Sequence, residues 1–274
     1  MATKSRTTEA AEPIERDGNV RAISRGLAVL QAINRGGSIT MMEICRSAQI
    51  PYPTACRIVQ TLMDEGMIER EPARKRYRPT ALVRTLSFGF QHEDDLVAVS
   101  RPHIVALTNA LAWPVSVTTR VGPVMMVRDS THKLTSLTLH NYAPGFTLPI
   151  IECSTGKAYL AYCDEDERRG VLHGLRQLAG PAERMAVLLT SNERMLAEIR
   201  ERGFATQARN AYTATPGKTS SIAVPLFEGD RVVGALALIF FASAVSMAEA
   251  QDRFVKALQE TARAIARDLE ARRG

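Results

Sequence analysis

Tyr52-Pro53-Thr54-Ala55-Cys56-Arg57-Ile58-Val59-Gln60-Thr61-Leu62-Met63-Asp64-Glu65-Gly66 is the stretch on which the reading of this chain turns. At 100° per residue, Ala55, Ile58, Val59 and Leu62 share one helical face, while Pro53, Arg57, Gln60, Thr61 and Asp64 share the other. Pro53 suits a first turn, where its missing N–H costs nothing, and Gly66 ends the helix. Upstream, Ile23, Leu27, Leu30 and Ile33 recur at helical spacing until Gly36-Gly37. Thr40 with Glu43 fits a capping box that opens a short second helix, which Ala48-Gln49-Ile50-Pro51 breaks. Residues 20–66 thus read as three helices, the last two joined by a tight turn. Downstream, residues 67–80 alternate as a short hairpin around Glu71-Pro72-Ala73-Arg74, and five of the nine residues from Arg70 to Arg78 are basic.

A helix-turn-helix followed by a basic hairpin is the arrangement of a winged DNA reader. Its second helix lies in the major groove and presents its N-terminal residues to the bases. Arg57 is the best base reader, because its planar fork can pair with guanine O6 and N7. Tyr52 and Thr54, at the helix start, suit a phosphate or a thymine methyl. The candidate DNA-facing set is Arg25, Thr40, Tyr52, Pro53, Thr54, Arg57 and Thr61, with Arg74, Lys75, Arg76, Tyr77 and Arg78 in the wing. Lys and Arg there would neutralise phosphates and release counterions. The plainer alternative for the hairpin is a solvated, charged turn. Its position directly after the helix-turn-helix favours DNA.

The totals agree. The chain has 274 residues, 45% of them hydrophobic, enough for two domains with their own cores. Net charge is +6, and its distribution is uneven: residues 1–90 hold 14 Lys and Arg against 9 Asp and Glu, the remainder 21 against 20. The excess charge therefore sits in the first third, which suits a polyanion partner for that part, although charge alone fits a merely basic surface equally well. The four cysteines (Cys45, Cys56, Cys153, Cys163) form no CxxC pair and have no nearby His at ligand spacing. Neither a structural zinc nor a disulfide framework is expected, and no metal or cofactor. No signal-peptide pattern opens the chain, and no apolar run reaches membrane-spanning length. A cytoplasmic protein with reduced thiols is expected.

Further along, residues 1–19 read as a disordered arm, 20–80 as the winged helix-turn-helix, 81–94 as a linker helix and 95–274 as a second domain. Within the latter, a helix near 96–111 precedes β-branched runs at 115–119 and 124–128 that flank Gly122-Pro123, a hairpin. Another strand is expected near 134–139, then a helix at 154–162. Asp164 with Glu167 and Thr190 with Glu193 read as capping boxes for two more helices. Residues 204–209, 221–227 and 231–240 look like strands, the last two joined at Glu228-Gly229-Asp230. Ser246 with Glu249 caps a long final helix. The fold class is α+β, with a mixed sheet and flanking helices in a sensor-type domain.

Arg21-Ala22-Ile23-Ser24-Arg25-Gly26-Leu27-Ala28-Val29-Leu30 and residues 53–62, together with Gly156-Lys157-Ala158-Tyr159-Leu160-Ala161 and Ser221-Ile222-Ala223-Val224-Pro225-Leu226, resemble the IclR family of bacterial regulators over residues 20–272. Val127-Arg128-Asp129-Ser130-Thr131-His132 and the ending Phe241-Ala242-Ser243-Ala244 resemble regulators of aromatic-acid catabolism, of the hydroxyphenylpropionate type. The resemblance implies a winged helix, a linker helix and a GAF-like effector domain. It implies a dimer or dimer of dimers on a palindromic double-stranded operator, with RNA polymerase as a further candidate partner. Its pocket would fall on Leu137, His140, Leu148, Ser154, Thr155, Gln207, Thr219, Ser221, Ala237 and Ile239. Members that bind small polar acids carry hydroxyls where Ala237 and Ile239 stand here. That change favours a larger, partly apolar effector such as an aromatic carboxylic acid. His140 or Arg128 would hold its carboxylate. The alternatives are an Arg128 paired with Asp129 or Glu152 and an exposed His140.

Two other functions compete for some of these residues. A hydrolase would need Cys153 or Ser154 beside a base such as His132 or His140, but no Gly-x-Ser-x-Gly elbow surrounds a serine. A redox-sensing regulator would use Cys153, at the loop before the Gly-Lys-Ala helix. Gly156-Lys157 is not a phosphate loop, since Ile151 stands at the first glycine position and Ala158 follows the lysine.

Overall fold

The computed structural model describes residues 20–72, 74–87, 94–138, 142–178, 192–213 and 215–272. They fall into two compact units, one ending at residue 87 and one starting at residue 94. The arm expected over residues 1–19 lies outside the described residues.

The first unit runs α1 (Arg21–Gly36), β1 (Ile39–Thr40), α2 (Met41–Ala48), α3 (Tyr52–Asp64), β2 (Ile68–Arg70) and β3 (Arg76–Pro79). The capping box is complete. The Glu43 N–H donates to Thr40 Oγ1 at 3.3 Å, and the Thr40 N–H donates to Glu43 Oε2 at 2.7 Å. That backbone bond from Thr40 holds the Glu43 carboxyl below the usual carboxylate range. Gln49 turns left-handed at φ 53° and ends α2, its N–H on the Cys45 carbonyl. Val29, Ile33, Ile44, Ala55, Val59 and Ile68 form the core. Ile23 and Leu27 do not join it; they are 61% and 54% exposed, because the buried residues of α1 lie in its second half, at Val29, Ala32 and Ile33. β1, unexpected because two residues carry no periodicity, pairs with β3 in an antiparallel sheet of order β1-β3-β2.

The described part of the expected linker helix, Ala81–Ser87, is a 3-10 helix. Thr85 and Ser87 hydroxyls donate to the carbonyls of Leu82 (2.7 Å) and Arg84 (2.8 Å), three residues back, a local bonding that competes with α-helix. Residues 88–93 lie outside the described residues.

The second unit runs α4 (Asp94–Leu111), β4 (Val115–Val121), β5 (Val124–Ser130), β6 (Thr147–Pro149), α5 (Ser154–Tyr162), α6 (Glu165–Leu178), α7 (Glu193–Arg202), β7 (Ala205–Gln207), β8 (Thr219–Glu228), β9 (Arg231–Phe241) and α8 (Met247–Ala271). Its antiparallel sheet has the order β6-β5-β4-β9-β8-β7. The strand expected near 134–139 is not formed over its described residues; His132–Leu134 is a 3-10 turn instead. There the Thr135 hydroxyl accepts from the Leu137 N–H (3.0 Å) and donates to the Ala112 carbonyl (2.5 Å), bending the chain away from the sheet. The sheet edge is filled by β6, unexpected because of its length. α7 is capped by Asn192, whose Oδ1 accepts from the Arg194 N–H at 2.9 Å; Thr190 lies outside the described residues.

Alternation along the strands separates two cores. On one face Val115, Val117, Ile222, Val224, Leu236 and Leu238 meet α4 and α8, whose Phe254, Leu258, Ala262 and Ile265 recur at helical spacing. On the other, the small Ala223, Ala235 and Ala237 lie under Ala158 and Leu160 of α5. Gly156 lets α5 pack directly on the 3-10 turn before it, Ile150–Glu152: a Cβ there would stand 1.8 Å from the Ile150 carbonyl oxygen, inside any contact distance. Gly156→Ala should therefore destabilise the second unit by about 3 kcal/mol, lowering its Tm by about 6–12 °C. Gly170→Ala, where an added Cβ would meet nothing within 4 Å, should leave the Tm unchanged or raise it in the same calorimetric scan.

Candidate nucleic-acid interface and effector site

In the first unit, burial of Ala55 and Val59 against the core turns the opposite face of α3 outward. Pro53, Arg57, Gln60, Thr61 and Asp64 are exposed, Tyr52 is 53% exposed and Thr54 is half-buried. The Arg57 guanidinium makes no hydrogen bond or ion pair among the described residues. Its neighbours are less free. Thr61 Oγ1 donates to the Arg57 carbonyl (3.1 Å), and Gln60 donates to Asp64 (2.7 Å). The Cys56 thiol one turn on raises the Tyr52 phenol above its ordinary value.

The wing residues divide into two kinds. Arg74 and Lys75 at the tip are exposed. Arg76 is turned inward: its guanidinium donates to the Ser38 carbonyl at 2.8 Å and to Glu43 Oε2 at 3.4 Å, so it ties β3 to the capped start of α2. Placing Arg76 on a phosphate, as the sequence suggested, conflicts with that geometry. Tyr77 packs against the unit's core, and Arg78 pairs with Glu69 across the hairpin at 2.6 Å. The Thr40 hydroxyl is engaged by Glu43, at 2.9 Å as donor. Arg25 is exposed on α1. The sequence reading missed what separates these basic residues, because no local signal distinguishes a tip arginine from one that reaches a carbonyl 38 positions away.

In the second unit, several expected effector residues converge at the start of α5. Ser154 and Thr155 are buried, and Ser154 Oγ lies 2.7 Å from Ser221 Oγ on β8. Ser221 stands opposite Ile239 and Gln207 in the sheet, and Ala237 opposite Ala223 and Ser116. Lys157, one turn along α5, donates to Gln207 Oε1 at 2.7 Å. Thr219 shares a hydrogen bond of 3.3 Å with the hydroxyl of the buried Tyr142, whose pKa burial pushes up. Leu148 packs against the core beneath α5. The result is a floor of Ala237 and Ile239 bordered by the hydroxyls of Ser154, Ser221, Thr219 and Tyr142. Tyr142 was missed; a lone aromatic in a loop gives no sequence signal of where its hydroxyl ends.

Two expected members lie elsewhere, and one is not described. Leu137 packs against the core on the α4 and α8 face. Arg128 is half-buried, and burial lowers its pKa. It donates to Thr119 Oγ1 at 3.5 Å, and alternation sets Thr119 on the face opposite Thr118, the partner of Ala235. Arg128 is therefore not gathered with the α5 residues. Asp129, a suggested partner for it, is held by Arg101 at 2.9 Å. His140 lies outside the described residues. Three cavities among the described residues are lined by other side chains than the expected effector set.

Among the described residues, the chemistry needed for a nucleophile is not assembled. Ser154 faces another hydroxyl rather than a base. Cys153 is buried, contacts Thr155 Oγ1 at 3.3 Å and accepts from the Gly156 N–H at 3.3 Å. Burial pushes its thiol pKa up, which disfavours the reactive thiolate and with it the redox-sensor reading. No group of three or more His, Cys, Asp or Glu suited to a metal occurs among the described residues. No helix there is long and apolar enough to cross a membrane.

Comparison with known proteins agrees with this division. Residues 22–72 match the IclR helix-turn-helix domain, and residues 89–267 match the bacterial transcriptional regulator IclR C-terminal domain. The HTH-type transcriptional regulator TsaQ1/TsaQ2 of Comamonas testosteroni is 25% identical over 66% of this chain and 65% of its own length. The DNA-binding transcriptional repressor YiaJ of Escherichia coli is 23% identical over 95% of this chain and 92% of its own. An IclR homologue from Microbacterium hydrocarbonoxydans, solved with 4-hydroxybenzoate, has the same fold, with a TM-score of 0.62 at 22% identity over 91% of this chain and 99% of that one. With one family model spanning more than half of its length and another spanning the helix-turn-helix, this chain belongs to the IclR family of transcriptional regulators, with a DNA-binding domain and an effector-binding domain.

Proposed function

We propose that this regulator reads a palindromic operator as a dimer or dimer of dimers, and that a small aromatic carboxylic acid bound at the start of α5 controls it. One observation carries the DNA half: Arg57 stands on the exposed face of α3 with no partner among the described residues, in the same unit as a hairpin tip bearing Arg74 and Lys75. A cation that folding leaves unused is available to a base edge or a phosphate. Two recognition helices related by a two-fold axis would then match two half-sites. The effector half rests on the apolar floor of Ala237 and Ile239 beside four hydroxyls, which offers a ring a flat wall and a carboxylate its donors. The 4-hydroxybenzoate bound by the homologue of the same fold supports an acid of that class. Control of an aromatic-compound catabolic operon, with RNA polymerase as an added partner, follows from the same reading.

Three measurements test this. In gel shifts, Arg57→Ala should cut discrimination between operator and scrambled duplex by about 10- to 100-fold; unchanged discrimination would remove Arg57 from the groove. Arg74→Gln with Lys75→Gln should weaken binding to all sequences and reduce the salt slope by about 2, whereas Arg76→Gln should lower the Tm of the first unit before it alters that slope. In thermal-shift assays, 4-hydroxybenzoate or a related acid should raise the Tm and change operator affinity, by about 2.7 kcal/mol of stabilisation at a hundred times Kd. Ser154→Ala should weaken that response, and 4-hydroxybenzyl alcohol should not reproduce it. A response to the alcohol equal to that of the acid would overturn the carboxylate assignment.

A further inference from the structure

Lys157 is an unusual lysine for its position. It sits at the wall of a cavity of about 220 Å³ between α5, α7 and β7. Its ammonium has three hydrogens, and among the described residues only Gln207 Oε1 accepts one. No carboxylate lies within ion-pair distance of it there. Burial lowers its pKa, and the nearby Cys153 and Glu152 only partly oppose that shift. Arg202 lines the same cavity, and its guanidinium makes no hydrogen bond or ion pair among the described residues. The one acid in the lining, Glu198, is taken by Arg194 at 3.3 Å. Lys157 and Arg202, neither in an ion pair among the described residues, thus line one space, with the Thr206 hydroxyl beside them and apolar walls from Met195, Ile199 and Phe204.

We propose that this cavity is a second ligand site, distinct from the proposed effector cleft at Ser154 and Ser221, that takes a small carboxylate. Its oxygens would accept from Lys157, Arg202 and Thr206, and a short apolar body would rest on Met195, Ile199 and Phe204. An anion there would give Lys157 and Arg202 the direct ion pairs they lack among the described residues, and charge-assisted bonds to two cations are the strong kind. The volume lies below the usual range for drug-sized ligands, which restricts the occupant to a small acid. The site adjoins the cleft through one residue. An anion that takes Lys157 from Gln207 releases a side chain whose backbone stands opposite Ser221.

The test uses the full-length chain with its six lysines reductively methylated with 13C, a modification that keeps their charge. The Lys157 resonance is assigned by its absence in Lys157→Gln. Titrated with benzoate, that resonance should move and saturate, and benzyl alcohol should leave it in place. The response should persist in Ser154→Ala/Ser221→Ala, which impairs the cleft. Arg202→Gln, an exposed change that should fold normally, should weaken the apparent affinity about tenfold. A Lys157 signal unmoved by benzoate while the Tm still rises would overturn this second site and leave the cleft assignment standing. A shift that never saturates, or one lost when the cleft is impaired, would overturn it as well.

Discussion

Helix α5 folds back on the short turn before it more tightly than any side chain at position 156 would permit. The Ile150 carbonyl occupies the place a Cβ would take, and Ala223, Ala235 and Ala237 present a shallow surface beneath. That closeness brings Ser154 to within hydrogen-bond distance of Ser221 and lets Lys157 reach Gln207. Both candidate ligand sites of the second unit hang from this one helix. The opposite face of the same sheet carries bulkier residues, Val115, Leu236 and Phe240, and packs long helices instead. The sheet thus holds a structural face and a chemical face, and the size of the side chains decides which is which.

The first unit obeys a different rule. Its core is small, and polar ties complete it: the reciprocal cap between Thr40 and Glu43 and the reach of Arg76 to Ser38. Among its basic residues the geometry separates those that hold the protein together from those left for a partner. Arg76 and Arg78 have protein acceptors; Arg57, Arg74 and Lys75 point to solvent. Charge counting treats all five alike, although burial and partners do not.

Much of this was legible in the residues. The helix at 154–162, the hairpin at Gly122-Pro123, the Thr40 box and the Ser246 cap carry strong local signals, and each appears where expected. What escaped was short or non-local. β1 and β6 are two and three residues long, so periodicity has nothing to act on. Ile23 and Leu27 have the spacing of a buried face, but burial depends on how far the neighbouring helices extend. Placement of Arg128 on the far side of the sheet follows from a strand register, and that of Leu137 from the turn at Thr135, neither of which the local sequence reveals. Tyr142 joins the proposed effector residues because its hydroxyl meets Thr219, 77 positions later in the chain.

Arg76 has one more effect. By clamping the hairpin to the first turn of α2, it leaves the tip little room to swing relative to the body that carries α3. The unit then works as a fixed gauge. If the hairpin tip grips a phosphate while Arg57 probes a base edge, as proposed, the gap between them is set by the polypeptide, and a duplex whose groove width differs would have to bear the deformation itself. Sequence preference would then extend to base pairs that no side chain touches.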